Sequence, residues 1–255
     1  MPGSLLTGRT ALITGAASGI GAAAALVFAQ QGAAVALSDI NEDGGRQTAA
    51  SVEELGGQAL FLPADVSSET DVAAMVKAAT DHFGRIDCAF NNAGIDGESA
   101  PVHESTEKNW DLVLATDLTG VWLCMKYEIR QMLQQGAGSI VNCSSAAGIV
   151  GFGLGVSAYV AAKHGVVGLT RAAALEYATR RIRVNAVCPG TVRTKLLDDA
   201  IRQGYVDLEQ VSSMQPMRRL AAPAEVAEAA AWLCSDAASY VTGHPLAVDG
   251  GLTAA

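Results

Sequence analysis

Short β-branched and aliphatic runs alternate with longer alanine-rich segments of helical period along almost the whole chain, and this alternation restricts the fold more than any other feature. The candidate strands are residues 11–14, 34–38, 59–62, 86–90, 139–143, 183–187 and 246–248. Most are too continuously apolar to have one wet face. Helices must cover both sides. The expected fold class is α/β, a doubly wound parallel sheet in a three-layer αβα sandwich.

A chain of 255 residues that is 50% hydrophobic supplies one sizeable core, and no Pro/Gly/Ser-rich linker or internal repeat divides it. Residues 1–255 therefore read as a single domain. A helix-period stretch from Ile20 stops at Gly32, and Pro223 with Glu225 opens a last helix that runs to about Cys234. Between these, residues at about 191–216 lack a strand and mix charge with apolar side chains, the pattern of a substrate-covering segment.

Composition excludes several classes. The net charge is −9 from 17 basic and 26 acidic residues without a Lys/Arg cluster, so a nucleic-acid partner is not expected. No apolar stretch approaches the roughly 18 residues of a membrane span, and the first ten residues lack a secretory pattern. A cytoplasmic location with no membrane partner is the default expectation. The five cysteines, without a C-x-x-C pair, read as core thiols. The four histidines lack metal-ligand spacing, so no metal site is expected.

Chemistry begins at the first strand, which runs into Thr14-Gly15-Ala16-Ala17-Ser18-Gly19-Ile20-Gly21. Glycines here let the turn close, let backbone approach a pyrophosphate, and present a helix N-terminus to it. Asp39 ends the second strand, where a carboxylate can accept from both hydroxyls of an adenosine ribose and repel a 2′-phosphate. With no Arg or Lys beside it, the predicted cofactor is NAD rather than NADP. Asp65 can accept from an adenine amino group or help cap a helix ahead of Ser67 and Ser68. Asn91-Asn92-Ala93-Gly94 follows the fourth strand, at the carboxyl edge where open α/β sheets place ligands; alone it is an ordinary Asn/Gly loop.

Tyr159 and Lys163 are four apart in an alanine-rich run and so share one helix face, although Tyr-x-x-x-Lys is common by chance. An ammonium favours phenolate over phenol, and a positive nicotinamide adds to this, drawing the tyrosine below its usual value of about 10. Such a tyrosine is an acid/base near neutrality. Ser145, between the fifth strand and the Tyr159 helix, can hold a substrate oxygen. Its neighbour Ser144 is a rival on spacing alone. The helices carrying Tyr159 and beginning near Thr106 are expected to be apolar on two faces, one for the sheet and one for a second subunit.

Together these segments resemble the short-chain dehydrogenase/reductase family over nearly the whole chain. The matching motifs are Thr14-Gly15-x-x-x-Gly19-x-Gly21, Asp65-Val66, Asn91-Asn92-Ala93-Gly94, Ser145, Tyr159-x-x-x-Lys163, Asn185, Pro189-Gly190-Thr191-Val192-x-Thr194 and the ending Val248-Asp249-Gly250-Gly251. The resemblance implies a Rossmann-like NAD-dependent oxidoreductase that interconverts a secondary alcohol and a ketone. In it Ser145 orients the substrate oxygen, Tyr159 transfers the proton, and Lys163 holds the nicotinamide ribose and tunes the tyrosine. The implied cofactor set is Gly15, Ser18, Gly19, Ile20, Gly21, Asp39, Ile40, Asp65, Val66, Asn92, Ala93, Gly94, Tyr159, Lys163, Pro189, Gly190, Val192 and Thr194. The implied partners are a small alcohol or ketone and further copies of the chain in a homo-oligomer, a tetramer by the family's habit.

Two positions depart from the family. Ser145 and Tyr159 are 14 apart, one more than usual, which places an extra residue in the loop 148–156, where Phe152, Leu154 and Val156 are then expected to reshape the pocket. Asp117, in Thr116-Asp117-Leu118-Thr119-Gly120, stands where the family has a proton-relay asparagine. The expectation is that Asp117 accepts from a lysine–water chain. Asp96, Phe152, Leu196, Leu197 and Tyr205 are expected around the substrate. Alternatives are reduction of a C=C or C=N bond, epimerisation, and a nucleotide-binding regulator, which would have no need for Ser145, Tyr159 and Lys163 together.

Overall fold

The computed structural model describes residues 4–194, 197, 201–202 and 207–254. Its strands are β1 (Thr10–Thr14), β2 (Ala34–Asp39), β3 (Ala59–Pro63), β4 (Cys88–Asn91), β5 (Gly138–Cys143), β6 (Ile182–Pro189) and β7 (Pro245–Val248). They pair in parallel in the order β3-β2-β1-β4-β5-β6-β7. Each lies where the apolar runs predict it, within about two residues at either end. β4 starts at Cys88 because Asp87 is spent at its mouth, its Oδ2 accepting from Thr10 N at 3.0 Å.

The described helices are α1 (Gly19–Gln30), α2 (Glu42–Glu54), α3 (Glu69–Phe83), α4 (Glu107–Leu114), α5 (Gly120–Gln135), α6 (Ser157–Tyr177), α7 (Leu208–Ser213) and α8 (Pro223–Cys234). Successive strand residues point to opposite faces, and both faces are dry. Ala11 and Ile13 of β1 pack with Phe28 of α1 and Leu233 of α8; Leu12 packs with Met75 of α3, Ile129 of α5 and Val166 of α6. Fully burying each large side chain is worth about 1.5–3 kcal/mol, so the sandwich follows from the unbroken apolar strands. Phe28 also stacks on Phe90 of β4, with centroids 6.4 Å apart. No helix among the described residues is long and apolar enough to cross a membrane.

Helix starts follow their capping residues: Asn41 Oδ1 accepts from Gly44 N at 3.1 Å, and Thr106 Oγ1 from Asn109 N at 3.1 Å. At α8, Glu225 Oε2 accepts from Ala222 N at 2.8 Å, just ahead of Pro223. One buried polar cluster crosses the sheet face. Asn91 Nδ2 donates to Asn142 Oδ1 and to Glu128 Oε2, both at 3.0 Å, and Asn142 Nδ2 donates to Thr170 Oγ1 at 3.0 Å. Glu128 Oε1 and Asn91 Oδ1 are buried without a hydrogen-bond partner. A π-helical turn, Ala115–Thr119, joins α4 to α5 and carries the fully buried Asp117; such turns widen a helix by one residue and cluster at functional sites.

Candidate active site

β1 and β4 are neighbours in the sheet but their following helices lie on opposite faces, which opens a crevice at the carboxyl edge between them. The glycine-rich turn and the Asn92 loop meet there. Asn92 Nδ2 donates to Thr14 O at 3.1 Å and Gly15 O at 3.2 Å, while Thr14 Oγ1 accepts from the Asn92 and Ala93 amides at 3.0 and 3.1 Å. Thr14 thus braces the loop, a role the sequence pattern did not reveal. A Cβ on Gly21 would lie 1.9 Å from Gly15 O, so α1 packs directly on the turn. At the N-cap of α1 the Ser18 side chain makes no capping bond, and the first turn holds no carboxylate. Its amides and positive dipole end are therefore suited to a phosphate.

Asp39, at the end of β2, accepts from Ala17 N at 2.9 Å and from Asn41 N at 2.8 Å, so its carboxylate also fastens the glycine turn. Ile40 beside it is 74% exposed. Asp65 Oδ1 is taken by Ser67 N at 2.8 Å and Ser67 Oγ at 2.7 Å, the local-turn alternative of its two readings. Val66 is buried against Gly120.

A cavity of about 470 Å³ brings together Ile20, Asn92, Gly94, Asp117, Ser145, Tyr159, Lys163, Pro189, Gly190, Val192 and Thr194. Gly15, Ser18, Gly19, Gly21, Asp39, Ile40, Asp65, Val66 and Ala93 do not line it. Ile95 and Cys143 do, unforeseen, as do the rival serine Ser144, Thr191 of the matching motif, and Asp96 and Leu197, which sequence reasoning placed near the substrate. Leu196 and Tyr205 lie outside the described residues.

Tyr159 and Lys163 occupy the first turns of α6, with Nζ 5.3 Å from the phenol ring centroid. The two serines differ in their partners. Ser144 Oγ donates to Lys163 O at 2.9 Å and is buried, so it is spent on the helix backbone. Ser145 Oγ accepts from Ala147 N at 3.1 Å, and Ser145 pulls the Tyr159 phenol toward its ionised form.

Lys163 is almost wholly buried; its Nζ donates to Cys143 O at 3.2 Å and lies 3.0 Å from Asp117 Oδ2. That last contact is an ion pair without hydrogen-bond geometry, since Oδ2 has no hydrogen-bond partner. Asp117 Oδ1 accepts from Ile95 N at 2.8 Å. Asp117 Oδ2 thus meets the lysine of the expected lysine–water chain directly, as an ion pair.

Burial raises the Asp117 carboxyl above the ordinary carboxylate range, against the pull of Lys163 and the Ile95 amide. Burial works the other way on Lys163, but Asp117 and Tyr159 outweigh it and hold the ammonium above its usual value. Tyr159 corrects an expectation: burial pushes its phenol above the usual value, although Lys163 and Ser145 pull it down.

The longer loop is corrected too. Ser99 Oγ donates to Leu154 O at 2.7 Å, Ala100 N donates to Gly155 O at 2.8 Å, and Ala100 bridges Val156. Leu154 is 58% exposed, and Phe152 and Val156 line a separate cavity beside Pro101 and His164 rather than the catalytic one.

The chain matches, over residues 15–253, the family model described as enoyl-(acyl carrier protein) reductase. It is 44% identical over 251 residues to a short chain dehydrogenase/reductase of Aspergillus oryzae, covering 97% of this chain and 96% of that one. Identity to the cis-4-hydroxycyclohexanecarboxylate dehydrogenase of Sinomonas cyclohexanicum is 47% over 252 residues, covering 99% of both chains. The crystal structure of levodione reductase, at 40% identity, superposes with a TM-score of 0.93 over 98% of this chain and 99% of that one. Likeness of this extent, in sequence and in fold, means that the chain belongs to the short-chain dehydrogenase/reductase family.

Proposed function

We propose that the protein interconverts a secondary alcohol and a ketone with NAD(H). The observation that carries this reading is the convergence of Ser145, Tyr159 and Lys163 on one cavity at the switch point of the sheet. The similar proteins named as a hydroxy-acid dehydrogenase and a ketone-type reductase support it. In oxidation, Tyr159 accepts the hydroxyl proton, Ser145 holds the substrate oxygen as it becomes a carbonyl, and Lys163 stabilises the phenolate. The bound nicotinamide supplies hydride acceptance and donation.

Gly15, Ser18, Gly19, Ile20 and Gly21 hold the pyrophosphate. Asp39 with Ile40 holds the adenosine ribose, and Asp65 with Val66 borders the adenine. Asn92, Ala93 and Gly94 line the path to Tyr159 and Lys163 at the nicotinamide ribose, while Pro189, Gly190, Val192 and Thr194 border the ring. The Asp39 carboxylate favours NAD over NADP because a 2′-phosphate would meet its charge. The reading includes a single domain of residues 1–255 covered by the segment at about 191–216, a homotetramer, and a cytoplasmic location.

The test is NADH absorbance with a panel of cyclic, aromatic and short aliphatic secondary alcohols and their ketones. Turnover of at least one such pair is expected. Reduction of conjugated C=C bonds alone, the activity described for the matching family model, would overturn the reading.

A further inference from the structure

We propose that Asp96 selects the substrate, so that the preferred alcohol carries a second hydroxyl that donates to this carboxylate. The proposal rests on the alcohol–ketone reading above. Ile95 N is pinned to Asp117 Oδ1, and this fixes the chain just before Asp96 at the cavity wall. Asp96 is exposed there, and no described residue gives it a hydrogen bond or ion pair. It is close enough for its charge to act on both Tyr159 and Asp117.

Among the described residues the cavity offers Asp96 no neutralising partner. Among the described lining residues the cation is Lys163, which is buried and already faces Asp117 and Cys143 O. Among the described lining residues outside the expected cofactor set are Ile95, Leu197, Ser145 and Asp96, and Tyr159 is shared with that set. Ser145 and Tyr159 are committed to the reacting oxygen, and Ile95 and Leu197 are apolar. Asp96 is the exposed, unpartnered carboxylate of this lining and so can read a second polar feature. An ionised carboxylate only accepts hydrogen bonds, so the complementary substrate brings a donor. A substrate carboxylate at the same place would be repelled.

The experiment compares kcat/KM for cyclohexanol, the cyclohexanediols and 4-hydroxycyclohexanecarboxylate in the wild type, Asp96→Asn and Asp96→Ala. The wild type should prefer at least one diol to cyclohexanol by about tenfold, the factor that corresponds to about 1.4 kcal/mol. Asp96→Ala should bring that ratio near one, mainly through KM, and raise the relative rate with the hydroxy acid. Asp96→Asn should retain part of the diol preference, since its amide oxygen still accepts. Turnover of cyclohexanol without a diol preference, or a ratio unchanged in Asp96→Ala, overturns the role of Asp96 alone. Failure of every alcohol and ketone in the wild type overturns the reaction class and the proposal with it.

Discussion

Asp117 Oδ2 lies 3.0 Å from Lys163 Nζ, and both side chains are sealed from solvent. An anion at this distance cancels part of the positive field that the ammonium exerts on Tyr159. The proposed alcohol oxidation draws on the phenolate, so the ion pair should displace the oxidation optimum to alkaline pH. Asp117→Asn keeps the shape and an acceptor for Ile95 N but removes the anion. The pH profile of kcat/KM should then move down by about one unit without loss of rate. An unchanged profile would show the charge to be screened. A large loss of rate would show that the carboxylate itself is needed.

Tyr159→Phe deletes the hydroxyl proposed to take the substrate proton. Turnover should fall by at least about a hundredfold while NADH still binds, as followed by nucleotide fluorescence. Lys163→Ala should weaken both turnover and binding. It also leaves Asp117 buried opposite no cation, so thermal unfolding should show a loss of about 3–5 kcal/mol.

Asp39 should give NAD at least about a tenfold advantage over NADP in kcat/KM, the scale of one modest polar contact. Asp39→Ala should relax that preference. Because Asp39 also accepts from Ala17 N, affinity for NAD should drop in the same variant. Equal efficiency with both cofactors in the wild type would refute the assignment.

Glu128 links stability to pH. Burial pushes its carboxyl from 4.5 up to about 7, against a lowering by the Asn91 amide. Between these values the folded state binds the extra proton, so unfolding becomes easier as pH rises. The stability is complete below about 4.5 and lost through about 7, a change of about 3 kcal/mol. Glu128→Gln, which removes the titrating group, should flatten this part of the curve in urea melts at pH 5 to 8.

Assembly gives a further check. Trp122 on α5 is 46% exposed beside Leu118, Leu169 and Ala172, and Trp110 and Leu112 on α4 are 41% and 54% exposed. These helices already pack on the sheet or on each other, so the outward apolar patch is surface a second subunit would cover. Sedimentation at micromolar concentration should give a multiple of the chain mass. Leu169→Arg should lower it.

The fold was legible because the inner strands β1, β2, β4, β5 and β6 are largely buried on both faces, a pattern that survives in sequence as mostly apolar runs. The site was legible where a residue type is tied to one geometry, as with Gly15 and Gly21, or with Tyr159 and Lys163 on a shared helix face. It was not legible where a contact depends on a long-range approach. Nothing in the spacing of Thr14 and Asn92 shows that one staples the other, and Ser144 differs from Ser145 only in that the Lys163 carbonyl lies above it. The direct pairing of Asp117 with Lys163 likewise needs the π-helical turn, which has no periodic signature. The direction of the Tyr159 shift depended on how deeply the phenol sits, which sequence does not report.

The loop between Ser145 and Tyr159 is tied at Leu154 and Gly155 to Ser99 and Ala100, while Ser145 is held by Ala147 N and Tyr159 by its own helix. Both catalytic ends therefore have anchors independent of the span between them. Lengthening a surface loop costs little, since closure entropy grows only with the logarithm of its length. The extra residue is absorbed by the tethered span, and the reacting geometry is insulated from it. In evolutionary terms this separates two kinds of change: the rim can be lengthened or re-lettered by selection for a new ligand shape, while the proton-transfer centre is inherited intact.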